Sequence, residues 1–149
     1  MRSTFQRLFF GGAGGGNAAA DLGLLVLRVF AGLAMAFAHG LGKLPPSAGF
    51  VGATEGLGFP APEVFAWAAG LSEFVGGLLL ALGLATRPAA LAVAFTMGVA
   101  AFGAHGGDPF GDREMALLYL AVAACLLLTG AGRYSIDRLI GGRPRRLYT

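Results

Sequence analysis

The chain has 149 residues, 56% of them hydrophobic and only 13% charged, against roughly 25% charged in an ordinary soluble domain. With a mean hydropathy of +0.70, this excludes a disordered or acidic tail protein, and 26 glycines without a Gly-X-Y period exclude collagen. The single cysteine, Cys125, excludes an intrachain disulfide or dithiol redox pair, and the net charge of +3 is concentrated in the arginines after residue 132, which favours a membrane surface over nucleic acid.

Residues 1–21 combine a short basic-aromatic segment with a Gly/Ala-rich stretch. Phe5 to Phe10 is interrupted by Gln6 and Arg7, too short for a secretory core, so an interfacial helix followed by a linker is expected. The first apolar run, Leu22 to Leu41, is long enough at about 1.5 Å per residue to cross a hydrocarbon core of about 30 Å. Asp21 is its expected N-cap. Residues 42–62 hold four prolines and several glycines and read as a loop, with one short interfacial helix over Ser47 to Thr54.

The second run, Glu63 to Leu84, follows Pro62 and closes at Gly83, the usual proline-first, glycine-last asymmetry. A tight connection, Ala85 to Arg87, leads through Pro88 into a third run, Ala89 to Phe102, which reaches spanning length only if Gly103 to His105 extend it. After the polar turn Gly106 to Arg113, a fourth run extends from Glu114 to Thr129 and stops at Gly130. The expectation is an all-α, four-helix transmembrane bundle over residues 22–132, with a basic tail over 133–149.

Eight basic residues (Arg2, Arg7, Arg87, Arg133, Arg138, Arg143, Arg145, Arg146) lie at the termini and the short turn, and two (Lys43, Arg113) in the opposite loops. Positive flanks stay inside, so both termini should be cytoplasmic. Arg138, Arg143, Arg145 and Arg146 are the expected contacts of the tail with anionic lipid.

Arg28 and Glu73 fall inside apolar runs, where an unpaired charge costs several kcal/mol. Counted inward from the cytoplasmic ends of their runs, they differ in depth by about 6 Å, and an ion pair between them is expected, structural or functional with equal weight. Arg28, Gly32, Met35, His39 and Gly42 or Lys43 share one stripe of the first run; Ala66, Gly70, Glu73 and Gly77 make a small-residue face on the second, read as packing. His39, Lys43, His105 and Glu114 return to the outer face. Imidazole and carboxylate groups pass protons, so they form a candidate quinone and proton site, although any one of them alone also suits a water–lipid boundary. The two histidines stand 66 residues apart without a supporting ligand set, so no metal site is expected, and Gly11 to Gly16 precedes no Lys-Ser/Thr pair and is no phosphate loop.

The ordered segments LRVFAGLAMAFAHGLGKL, Gly58-Phe59-Pro60, LSEFVGGLLLALGLATRPAAL, the His105 loop with Glu114, and GAGRYSIDRLI resemble the DoxX family of small membrane proteins over residues 22–140. That resemblance implies a four-helix membrane bundle and, for some members, a role as the membrane subunit of quinone-linked redox or oxidative-stress systems with a redox partner protein. The alternative is a noncatalytic anchor or assembly factor for a partner protein. No catalytic residue is assigned by the resemblance.

Overall fold

The structure is a computed structural model that describes residues 17–141. The expected N-terminal interfacial helix and Arg143, Arg145 and Arg146 lie outside those residues. Among the described residues every regular element is helical. The elements are α1 (Ala18–Ala34) continued by a π segment (Met35–Gly40) and a 3-10 turn (Leu41–Lys43), α2 (Ala48–Gly56), α3 (Pro62–Leu82), α4 (Thr86–Val99) continued by a second π segment (Ala100–Ala104), α5 (Phe110–Thr129) and α6 (Ile136–Gly141).

Three of these are long and apolar enough to cross a membrane: Ala18–Lys43, Pro62–Leu82 and Thr86–Ala104. The third reaches that length because the backbone continues through the π segment, as the run through Gly103 requires. α5 matches α3 closely in length, but it opens with Asp112, Arg113 and Glu114, which lowers the apolarity of its first turns. Phe30, Phe37, Val64, Leu91, Phe95, Leu118 and Leu128 are all exposed, a surface suited to acyl chains and not to water.

Local chemistry sets the ends. Asn17, not Asp21, is the N-cap of α1 and accepts from the Ala19 N–H at 2.9 Å, because the helix begins one turn earlier than the apolar run. Ser47 caps α2 by accepting from the Phe50 N–H at 3.2 Å. Pro62 opens α3, and Gly83, with φ +65°, closes it in the left-handed conformation. There the Leu84 N–H reaches the Leu79 carbonyl at 3.0 Å and the Gly83 N–H the Leu80 carbonyl at 3.1 Å, satisfying carbonyls that the helix leaves open.

α1 packs on α3, α3 on α4, α4 on α5, and α5 touches α1. The buried interior is made largely of small side chains, including Ala31, Ala36, Ala66, Ala89, Ala90, Ala101 and Ala123, with Met35, Leu80, Val93, Met97 and Leu126 filling the space between helices. Small residues let backbones approach and gain dispersion contacts where lipid offers no hydrophobic drive. The approach is closest between α1 and α3: a Cβ on Gly77 would stand 2.6 Å from the Gly32 carbonyl oxygen and 2.9 Å from the Ala36 nitrogen.

That contact has a measurable consequence. Gly77→Val should lower stability in detergent by at least about 1–3 kcal/mol, since backbone must move to admit the side chain. Gly98→Ala, where nothing lies within 4 Å of the new Cβ, should leave the melting temperature nearly unchanged.

Candidate functional site

The register of α1 against α3 decides which charges meet. Gly32 faces Gly77 and Ala81, Gly40 faces Glu73 and Phe74, and Leu44 faces Gly70, so the helices run antiparallel with matched steps. Arg28 lies 12 residues before Gly40, a displacement of about 18 Å along the helix. The expected Arg28–Glu73 pair is therefore replaced by two separate arrangements. Counting depth from the ends of the apolar runs failed because α1 extends well past the end of α3.

Glu73, only 1% exposed, pairs with Lys43: the ammonium Nζ donates to Oε1 at 2.6 Å and to Oε2 at 2.7 Å. The Lys43 side chain remains 35% exposed, and its Nζ lies 5.4 Å from the centroid of the Phe50 ring on α2, within cation–π range. The Gly70 and Gly40 contacts explain how the pair forms. Without side chains at these positions, the end of the first span lies directly against α3, and Lys43 folds back onto a carboxylate near the middle of that helix.

His39 sits one turn before Lys43, inside the π segment, and its ring meets the Tyr119 ring of α5 edge-on at 5.3 Å and 76°. A π segment carries one more residue per turn than an α-helix and often occurs at functional positions. Here it brings Gly40 to the Glu73 backbone while holding His39 toward α5.

The other expected members of the outer cluster are placed differently. His105, whose N–H closes the second π segment on the Ala100 carbonyl at 2.9 Å, has Nδ1 2.9 Å from Asp108 Oδ2, with both side chains 47% exposed. Glu114 is exposed in the opening turns of α5. The structure thus builds Lys43, Glu73 and His39 into the helix interfaces, together with Phe50 and Tyr119, and leaves His105 and Glu114 on an exposed rim. Phe50 and Tyr119 had no distinguishing sequence signal, because single aromatics are common in apolar runs and their partners lie on other helices.

A second polar centre fastens the chain after α5. Arg28 donates from Nη1 to the Leu80 and Ala81 carbonyls and from Nη2 to the Tyr134 carbonyl, so it caps the end of α3, where a cation suits the helix dipole. Asp137 accepts from the Ala85 and Thr86 N–H groups at 2.7 and 2.9 Å, and its own N–H donates to the Gly83 carbonyl at 2.8 Å. It caps α4 from 51 residues away, and its charge acts on Arg28. Asp21 accepts from the Arg133 N–H at 3.0 Å. Asp21, Arg28 and Asp137 are all nearly fully buried. The available signal was negative: α4 starts at Ala85-Thr86 with no side-chain cap of its own, so a donor-satisfying acid had to come from elsewhere.

Among the described residues no group of three or more His, Cys, Asp or Glu side chains could hold a metal ion.

The sequence profile of the DoxX family matches residues 23–106. The chain is 32% identical over 125 residues to a Bacillus subtilis protein named "Putative oxidoreductase CatD", covering 83% of this chain and 91% of that one. It is 36% identical over 128 residues to the Escherichia coli inner membrane protein YqjF, with 80% and 93% covered. It is also 33% identical over 125 residues to the E. coli inner membrane protein YphA, with 76% and 89% covered. No solved structure matches.

A double-mutant cycle tests the observed pairing. Glu73→Gln and Lys43→Met should be strongly non-additive in detergent melting, with a coupling of at least about 1 kcal/mol, because either single change strands the other charge. Glu73→Gln with Arg28→Met should be additive within about 0.5 kcal/mol. The reverse pattern would refute the pairing.

Proposed function

The chain belongs to the DoxX family and is a multi-pass cell-membrane protein, and on that premise we propose that it is the membrane subunit of a quinone-linked redox system. The observation that carries this reading is the Lys43–Glu73 pair. An ammonium has three N–H donors; two directions are taken by the Glu73 oxygens, and the exposed flank of Lys43 leaves a donor for an outside acceptor. A quinone carbonyl is such an acceptor, the Phe50 ring beside Lys43 offers a planar face for its ring, and the apolar helix surfaces suit a prenyl tail.

Reducing a quinone to its quinol takes two electrons and two protons. The electrons come from a partner redox protein or a dissociable donor, since this chain carries no flavin, haem or iron-sulfur motif. The chain's own task is to orient the carbonyl and supply protons. Lys43 donates to the carbonyl oxygen, Glu73 holds Lys43 in place, and His39 and the exposed His105 and Glu114 exchange protons with water. The oxidoreductase name carried by one relative supports this reading.

In this reading α5 is a fourth span. Its 20 residues reach about 30 Å, and the charges of its first turns lie at the water boundary. The eight-to-two distribution of basic residues then puts both termini in the cytoplasm and the Lys43 end outside.

The second reading, a noncatalytic anchor for a partner protein, is favoured by a different observation. Three buried charges hold the segment after α5 rigidly against the helix ends, as a docking platform would require.

Two measurements follow. In a Cys125→Ala background, Glu55→Cys should react with an impermeant maleimide added outside intact cells; labelling only after the cytoplasm is exposed would overturn the orientation. For the purified protein, Lys43→Gln should weaken binding of a short-chain quinone by about tenfold, the value of one charge-assisted hydrogen bond, and His39→Ala should weaken it less. No saturable binding by the parent protein, or unchanged affinity in Lys43→Gln, would sink the quinone reading and leave the anchor reading ahead.

A further inference from the structure

We infer that α6 and the turn before it form an interfacial lipid-binding element: Leu139 and Ile140 enter the acyl region while Arg133 and Arg138 hold anionic phospholipid headgroups. The inference rests on the membrane location of the chain and not on the quinone reading.

Depth is the first argument. Asp137, the second residue of α6, bonds to Ala85 and Thr86, and its N–H to Gly83, all in the turn that joins two membrane-length helices. The start of α6 is thereby tied to the level of the helix ends. A hinge at this place would let α6 leave the surface, but Arg28 holds the Tyr134 carbonyl and Asp21 the Arg133 N–H. Gly130 and Gly132, at φ +72° and +76°, make the reversal that L side chains resist.

Exposure and charge are the second and third arguments. Leu139 is 80% exposed, Ile140 58% and Tyr134 46%, and Leu128, in the last turn of α5, is 77% exposed. Exposed apolar side chains thus stand both on the last turn of α5 and on α6. Tyrosine and arginine flanking such surface are the side chains of the headgroup level, and the Arg133 guanidinium stands 6.0 Å from the Tyr134 ring. Asp137 is buried and committed to α4, so its carboxylate does not oppose an anion at the surface. An exposed apolar pair that directly follows two arginines at the level of the helix ends suits an anionic leaflet better than a second copy of this equally basic chain.

The test uses the full chain in lipid nanodiscs. A spin label at Ile140→Cys, in the Cys125→Ala background, should be more accessible to oxygen than to a water-soluble nickel chelate, whereas a label at Gly107→Cys shows the opposite. Native mass spectrometry of the parent should show phosphatidylglycerol retained over phosphatidylcholine. Arg133→Gln with Arg138→Gln should reduce that preference on the order of tenfold, with the melting temperature unchanged because the bonds that fasten the segment use backbone groups of Arg133 and Tyr134. Three results would overturn the inference: a label at 140 as open to the nickel chelate as that at 107, unchanged lipid preference in the double variant, or protection at 140 that appears only when several copies share a disc.

Discussion

Backbone contact between α1 and α3 governs the rest of this molecule. Gly32, Ala36 and Gly77 bring the two main chains together at a distance no larger side chain permits, and dispersion at that distance is the principal attraction available between helices in lipid. Once the contact is made, axial sliding is blocked by the same atoms. Every charged group on the two helices then has a fixed level, and its partner is decided by what lies opposite.

The two ends of the helix pair solve the problem of charge in a low-dielectric medium differently. At one end Arg28 is spread over main-chain carbonyls of α3 and of the segment after α5, with Asp137 nearby, so both terminal nitrogens serve chain connectivity while Nε is buried without a partner. At the other, Glu73 is sealed from solvent while Lys43 keeps an open flank. A charge sealed from solvent can only hold the chain; one with an open flank can still bind. That asymmetry is why the Lys43 end is the candidate site and the Arg28 end a structural clasp.

Much of this was legible in the sequence. Three of the four membrane-length runs, the small-residue face of Ala66, Gly70, Glu73 and Gly77, the Ser47 helix and the Gly83 stop follow from local rules and recur in the structure. The stripe of Arg28, Gly32, Met35, His39 and Lys43 also emerges as an inward-facing line, buried through Met35 and half-buried beyond it. What was not legible is axial offset. Hydrophobicity reports that a segment is in the membrane and not how far one helix overhangs its neighbour, so Arg28 was matched with Glu73 when Lys43 was nearer. The roles of Asp21 and Asp137 were hidden for a related reason, since each satisfies donors more than 50 residues away.

The two π segments bear on how this chain can vary. Each contains one residue beyond what an α-helix would need for the same rise, and each ends beside a histidine. Deleting a single residue from Met35–Gly40 would restore regular winding and leave everything beyond it in nearly the same phase, whereas a deletion in the regular turns of α1 just before it would turn the far end by about 100°, carrying Lys43 away from Glu73 although the span would remain long enough and apolar enough. The connection over residues 57–61, between α2 and α3, is under no such angular constraint. Length changes should therefore be accepted in that connection and, as single deletions, in the π segments, and rejected in the regular turns of α1, so that the permitted lengths of this protein are set by helical phase rather than by membrane thickness.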